Sequence, residues 1–378
     1  MEHVWGRHFD RRADERGDQS AIESMLVSPE TRVLEWSPQG CWVVDRPEGP
    51  RLWLRAAQPA DRTRLALFLG RTRGDGSGDP FDGQEGVLPA WVAVVIPAAP
   101  EETADSGRHT QTDESAPTLQ PYEPSTDGHE APTADASSTP RRMGLRDIGA
   151  LLPDGDVEAF MTAEALGQWH VTHTHCPRCG VETEPATAGW TRRCPNDGSE
   201  HYPRTDPAVI MAITDPTDRL LLARSPAWPV NRRSVLAGFV EPGERLEAAV
   251  AREVLEEVGL SVRDVRYVAS QPWPFPASLM LGFTATTDRE ALTLVDGEIA
   301  EAEWYTREQL RRAVSDGSLG LPGPLSIARR LIEAWFGQRL LPPMEVSFHS
   351  TEAAESRSDD VESAEPDGPV EPVIGSAT

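Results

Sequence analysis

The chain contains no lysine; all 36 of its basic residues are arginine, a bias that reads as genome composition before function. Cysteine is scarce too, with four in 378 residues. Three of the four stand together at metal-ligand spacing, which argues against a disulfide framework. Long apolar runs are missing, with no stretch of about 18 residues that could span a membrane. The opening MEHVWGRHFDRRADERG has no apolar core of the kind a secretory leader needs. The expectation is a soluble, cytoplasmic protein without a membrane partner.

Positive charge is also short, since 61 acids against 36 arginines leave a net −25. Segments 98–142 and 343–378 are rich in Pro, Ser, Thr and acid and hold 18 acids against four arginines, so they carry −14 of that charge. They have too few large aliphatics to offset chain entropy and are expected to be disordered. The acidity argues against a broad nucleic-acid-binding surface.

What is present centres on Gly238–Leu260, GFVEPGERLEAAVAREVLEEVGL. Glu253, Glu256 and Glu257 fall at i, i+3 and i+4, which places them on one face of a helix. Leu246, Ala249, Val250, Glu253 and Glu257 share one stripe that begins apolar and ends acidic. An ordinary amphipathic helix keeps its carboxylates on the solvated side. Carboxylates carried towards a packed face require protons or cations, and a few of them plus substrate phosphates suit a hard divalent ion. Gly259 is placed to end the helix as its C′ residue.

Upstream, Arg32–Trp36, Cys41–Asp45, Arg51–Arg55, Leu65–Leu69 and Trp91–Ile96 predict an antiparallel β domain. Cys41 has no partner in sequence and is expected to be a buried small hydrophobe. Apolar spacing from Met143 to Gln168 predicts one or two helical pieces. Next come Cys176-Pro-Arg-Cys179-Gly and, fourteen residues on, Cys194-Pro-Asn-Asp197-Gly. Two such turns present ligands to one tetrahedral zinc. The fourth ligand is open between Asp197, favoured by spacing, and His201, favoured by imidazole chemistry. A site lacking its fourth thiolate could also hold metal weakly. If filled it is closed and structural. Strands are expected at Ala208–Thr214, Arg219–Ser225, Val235–Phe239, Val262–Ser270, Leu279–Thr286 and Ala302–Tyr305, with helices at Arg307–Val314 and Ser326–Phe336. Their mixture suggests a three-layer α/β/α sandwich. In Ser270–Ser278, SQPWPFPAS, three prolines alternate with two aromatics. This predicts a stiff extended loop that presents Trp273 and Phe275 and leaves Gln271 and Ser278 free to hydrogen-bond.

The spacing Gly238, Glu244, Arg252, Glu253, Val254, Glu256, Glu257, Gly259, Leu260 resembles the Nudix box at every defined position. SQPWPFPAS at this distance resembles the motif of the NADH pyrophosphatase branch of the Nudix hydrolases, and the likeness extends over most of the chain. The resemblance implies a Nudix α/β/α sandwich with a zinc-ribbon-like module and an N-terminal antiparallel β domain. It implies hydrolysis of the pyrophosphate of NAD(H) to AMP and nicotinamide mononucleotide, removal of NAD caps from RNA 5′ ends in some members, Mg²⁺ or Mn²⁺, structural Zn²⁺ and a homodimer. Carried over residue by residue, Glu253, Glu256, Glu257, Glu298 and the Ala237 carbonyl match metal ligands, and Arg252 stands among them. Tyr202, Phe239, Gln271, Pro272, Trp273, Pro274, Phe275, Pro276, Ala277, Ser278 and Ala328 match substrate contacts. Arg146 is a looser match to a substrate-contacting arginine. Gly189 stands where some members have a substrate-contacting Glu, and Asp197 where they have a fourth Cys. The implied boundaries are 1–97 for the β domain, 98–142 for an acidic linker, 143–203 for a helical lead-in and ribbon, 204–340 for the Nudix domain and 341–378 for an acidic tail. Competing readings are a Nudix hydrolase of another nucleoside diphosphate derivative such as ADP-ribose, a non-catalytic nucleotide sensor, and a zinc-ribbon nucleic-acid-binding protein.

Overall fold

The computed structural model describes residues 8–72, 89–96, 139–294 and 297–340. Most of the expected linker and the whole expected tail lie outside them.

The N-terminal layer is one sheet built from β1 (Phe9–Asp10), β2 (Arg32–Ser37), β3 (Gly40–Arg46), β4 (Gly49–Leu52), β5 (Leu54–Ala56), β6 (Ala66–Thr72), β7 (Ala90–Val95) and β8 (Arg141–Met143), with α1 (Gln19–Met25) between the first two. Its pairings are antiparallel except β2 with β7, which run parallel from Arg32 opposite Trp91 to Trp36 opposite Val95. Two boundaries differ from the sequence expectation. The run Arg51–Arg55 is two strands broken at Trp53, and the expected linker gives up Arg141 and Arg142 to β8, which pairs with β3. Cys41 is fully buried, and burial drives its thiol pKa up.

Two helices follow, α2 (Leu145–Ile148) and α3 (Asp154–Thr172). α3 is buried on most sides, so it shows no polar face to speak of. Gly167 lies flat on the Trp36 ring, where a Cβ would stand 2.4 Å from its carbons. Its buried acids are partnered: Trp36 Nε1 donates to Glu164 Oε2 at 2.8 Å, and the Leu52 N–H donates to Asp156 Oδ2 at 2.9 Å.

A small sheet of β9 (Glu184–Ala186), β10 (Thr191–Arg193) and β11 (Glu200–His201) forms the metal-spaced module. It is fixed to the N-terminal layer by Trp190 Nε1, which donates to the Phe68 carbonyl at 2.7 Å, and to α3 by His170 Nε2, which donates to the Gly189 carbonyl at 2.8 Å.

The third sheet contains β12 (Asp206–Thr214), β13 (Leu220–Arg224), β14 (Leu236–Phe239), β15 (Arg263–Trp273), β16 (Ser278–Thr286) and β17 (Glu301–Tyr305), in the order β15-β16-β12-β13-β17 with β14 also on β12. β12 and β16 pair in parallel from Asp206–Ser278 to Thr214–Thr286. Alternation along β12 builds the layers. Val209, Met211 and Ile213 join the core under α4 (Leu246–Val258), while Ile210 and Ala212 join the opposite core under α5 (Arg307–Ser315) and α6 (Ile327–Phe336). This is the expected α/β/α sandwich.

The stretch 270–278 corrects the loop expectation. β15 runs on through Gln271 and Pro272 to Trp273, pairing with Ser278–Met280, and only the turn 274–277 is outside strand. β15 is an edge strand, where a proline without an N–H is tolerated. Among the described residues, no helix is long and apolar enough to cross a membrane.

Candidate active site

α4 is organised by what it buries. Ala249, Val250, Val254 and Val258 pack on β12, and Gly259 ends the helix in the left-handed conformation at φ 71°, its N–H donating to the Leu255 carbonyl. Glu257 lies on that same buried stripe and is only 5% exposed. Glu253 reaches β14 because Gly238 has no side chain; a Cβ there would stand 1.8 Å from the Glu253 carboxyl carbon. Arg252 organises the acids. Its Nε and Nη2 donate to Glu244, its Nη1 to Glu253 and Glu256, and its Nη2 also to the Phe239 carbonyl, all at 2.9–3.0 Å. All of its N–H donors are therefore occupied. Hydrogen bonding to Glu244 above all pushes the Arg252 pKa up. Burial raises that of Glu253, as do the charges of Glu256 and Glu298.

One arginine among Glu244, Glu253, Glu256, Glu257 and Glu298 leaves acid in excess, two of the group being desolvated. The candidate donors are all oxygen, and Ala237, beside Gly238 on β14, could add a backbone carbonyl; such a set would suit Mg²⁺ or Mn²⁺. The notch at Gly238 is the structural sign of fit, since it admits the Glu253 carboxylate to the strand that carries Ala237.

The aromatic end is also assembled. Trp273 and Phe275 meet edge to face at 5.0 Å, and the Arg146 guanidinium on α2 sits 4.1 Å from the Phe275 ring and 5.8 Å from that of Trp273. Phe275 rests against the N-terminal core. Pro274 is buried, Pro272 and Pro276 are exposed, and Ala277 and Ser278 are half-buried. Tyr202 and Phe239 are exposed, with the Tyr202 hydroxyl donating to Glu200.

One sequence reading needs correction. Gln271 is not free: it is fully buried, its Nε2 donates to the Leu325 carbonyl at 2.7 Å and its Oε1 accepts from the Ile327 N–H at 2.6 Å. It caps α6. Ala328 is buried in that helix and its N–H donates to Ser326 Oγ at 3.2 Å. Gly189 faces Leu67 of the N-terminal sheet at φ 81°, with the Ala66 carbonyl 3.0 Å from its Cβ position, so a side chain there would be strained.

In the ribbon, the Sγ atoms of Cys176, Cys179 and Cys194 and a carboxylate oxygen of Asp197 lie within 4.8 Å of one another. Three sulfurs and one oxygen make a closed tetrahedral set suited to structural zinc. The Ser199 hydroxyl donates to Asp197 at 2.5 Å and holds its pKa down at about 2, so Asp197 is a carboxylate ready to ligate. His201 is outside the cluster and contacts Ser199 at 3.2 Å. The structure thus gathers Asp197, not the rival imidazole.

Two family models match the chain, "NUDIX domain" over residues 204–320 and "NADH pyrophosphatase zinc ribbon domain" over 172–202. Similar curated proteins include NAD-capped RNA hydrolase NudC of Mycobacterium bovis (strain BCG / Pasteur 1173P2), 48% identical over 213 residues, which cover 54% of this chain and 68% of that one. The protein of the same name from Deinococcus radiodurans is 41% identical over 204 residues, covering 53% and 70%. That from Chromobacterium violaceum is 42% identical over 190 residues, covering 50% and 68%. A box helix whose Glu253 closes on β14, a ribbon of matching type and relatives of this identity and coverage lead to one assignment: the chain belongs to the Nudix hydrolases, in the branch that carries the NADH pyrophosphatase zinc ribbon.

Proposed function

We propose that the protein hydrolyses the pyrophosphate of NAD(H) to AMP and nicotinamide mononucleotide and removes NAD caps from RNA 5′ ends, as a cytoplasmic homodimer. The observation that carries this reading is the closing of the Glu253 carboxylate onto β14, in the same sheet whose β15–β16 turn carries an aromatic pair. Such an arrangement joins a cation-binding acid face to a surface for a flat ring.

A divalent ion held by Glu253, Glu256, Glu257, Glu298 and the Ala237 carbonyl would offset charge developing on the cleaved diphosphate and acidify the attacking water. Glu257, the most buried acid of the set, would accept that water's proton. Arg252 holds Glu253 and Glu256 at fixed separation through its Nη1. Trp273 and Phe275, backed by Arg146, offer aromatic faces to the nicotinamide end.

The test is product analysis with NADH, NAD, ADP-ribose and NAD-capped RNA, each with Mg²⁺ and Mn²⁺. Nicotinamide mononucleotide is expected from the first two, and a 5′-monophosphate RNA from the last. Efficient cleavage of ADP-ribose alone would transfer the assignment to that substrate. Glu257→Gln should lower kcat roughly 10²–10⁴-fold while NADH still binds; near-wild-type turnover would remove Glu257 from the chemistry.

A further inference from the structure

Outside the box, one carboxylate is held from two sides by buried arginines. Glu301 opens β17. Its Oε1 accepts from Arg224 Nη2 at 2.7 Å, and its Oε2 accepts from Arg233 Nη2. Arg224 ends β13 and Arg233 stands three residues before β14; their side chains are only 12% and 9% exposed. Main-chain bonds tie the same three segments together. Ala223 and Ser234 exchange two N–H···O bonds at 2.8 and 2.9 Å, and the Ala300 N–H donates to the Arg224 carbonyl at 2.9 Å. Arg233 Nη1 also holds the Val230 carbonyl at 2.8 Å, so the connection between β13 and β14 is secured as well.

The placement of this cluster gives it a role. Glu298 lies three residues before Glu301, and its charge is felt by Glu253 across the acid face. Ala237 and the notch residue Gly238 lie four and five residues after Arg233. The two segments that bring metal-site groups from outside α4 are therefore both anchored at one carboxylate. Removing that anchor would leave two largely buried guanidiniums without the acceptor they share, at a site where Glu301 itself is 40% exposed, and like charges left without a shared partner separate.

We propose that Glu301, clasped by Arg224 and Arg233, is a positioning residue that sets Glu298 and the Ala237 strand against Glu253 and so tunes divalent-metal affinity. The clasp touches neither diphosphate nor metal; it acts through Glu298 and the Ala237 carbonyl. It rests on the metal site proposed above.

The experiment measures Mn²⁺ binding to the full chain without substrate, by the electron paramagnetic resonance signal of free Mn²⁺, alongside kcat as a function of Mn²⁺. Glu301→Gln should weaken Mn²⁺ binding about tenfold, the scale typical of groups behind a metal's ligands. At saturating Mn²⁺, kcat should stay within about threefold of wild type. Added to a Glu298→Gln background, the same substitution should weaken binding distinctly less than it does alone, because one of its two routes to the metal is already gone. Arg233→Lys, which keeps the charge but loses the planar fork, should weaken binding in the same direction and serves if Glu301→Gln does not fold. Unchanged Mn²⁺ binding in a folded variant, or an undiminished effect in the Glu298→Gln background, would overturn the proposal. A wild-type protein that binds no Mn²⁺ would overturn both the clasp and the functional reading. One that binds Mn²⁺ but releases no nicotinamide mononucleotide would overturn the functional reading alone.

Discussion

Gly238 shows how much of this site depends on a missing atom. The Glu253 carboxylate occupies the volume a Cβ would take, so Gly238→Ala forces either the strand or the carboxylate to move. The strand is held by four β12 partners and the carboxylate by one arginine nitrogen, so Glu253 should give way. We expect Gly238→Ala to lower kcat/KM about 100-fold, the scale of an ångström's misplacement at a reacting centre, with a far-ultraviolet spectrum unchanged from wild type. Equal activity would show that the notch does not matter. At this scale the sequence was informative where partners are close in the chain. Arg252 reaches Glu244, Glu253, Glu256 and the Phe239 carbonyl, all inside one 23-residue motif. Gln271 was misread for the opposite reason. Its partners, Leu325 and Ile327, lie 54 and 56 residues away, and no local pattern reveals that an amide will cap a distant helix.

Among the elements, the joint between α3 and the ribbon has its own signature. His170 is buried, with Nε2 donating to the Gly189 carbonyl and Nδ1 accepting from Arg192 Nη1 at 3.0 Å, so the ring is neutral. Burial, with Arg192 adding a like charge, lowers its pKa from 6.5 to about 4. A histidine depressed on folding binds its proton more tightly in the unfolded chain. Its contribution is whole above pH 6.5 and is lost as pH falls towards 4. The total is about 3 kcal/mol. Urea unfolding of wild type should show this loss across that window, and His170→Gln should flatten the slope there by up to about 1.4 kcal/mol per pH unit. Parallel slopes would place the titration elsewhere. The period-2 alternation of β12 and the acidic stripe of α4 were both readable as elements. The continuation of β15 through Pro272 was not, because a proline-rich edge strand and a stiff loop have the same composition; only the pairing with Ser278–Met280 separates them. The parallel contact of β2 with β7 was equally hidden, since short strands between turns read as hairpins.

In the molecule as a whole, the aromatic hairpin is where the layers meet. Phe275 leans on the N-terminal core and under Arg146, Gln271 holds α6, and the Asp206 N–H donates to the Ala277 carbonyl at 2.8 Å. Asp206 begins β12 five residues after the ribbon's last strand ends at His201. A disturbance in the ribbon therefore has a short path to the hairpin and a longer one to α4. Stripping zinc with a chelator, in excess Mg²⁺, should raise KM for NADH several-fold more than it lowers kcat; a fall in kcat alone would show that the ribbon braces the acid face instead. The sequence indicated that these modules exist but not that they converge, because convergence is set by sheet order and not by any one segment. Arg252 adds a consequence for the protein's life in the cell. With four of its five donors on acids and the fifth on the Phe239 carbonyl, Arg252 gives α4 a counter-ion of its own, and folding is expected not to wait for a divalent ion. A shortage of magnesium or manganese would then slow turnover without exposing the chain to degradation, so the cell's metal supply would govern the rate of this enzyme and not its abundance.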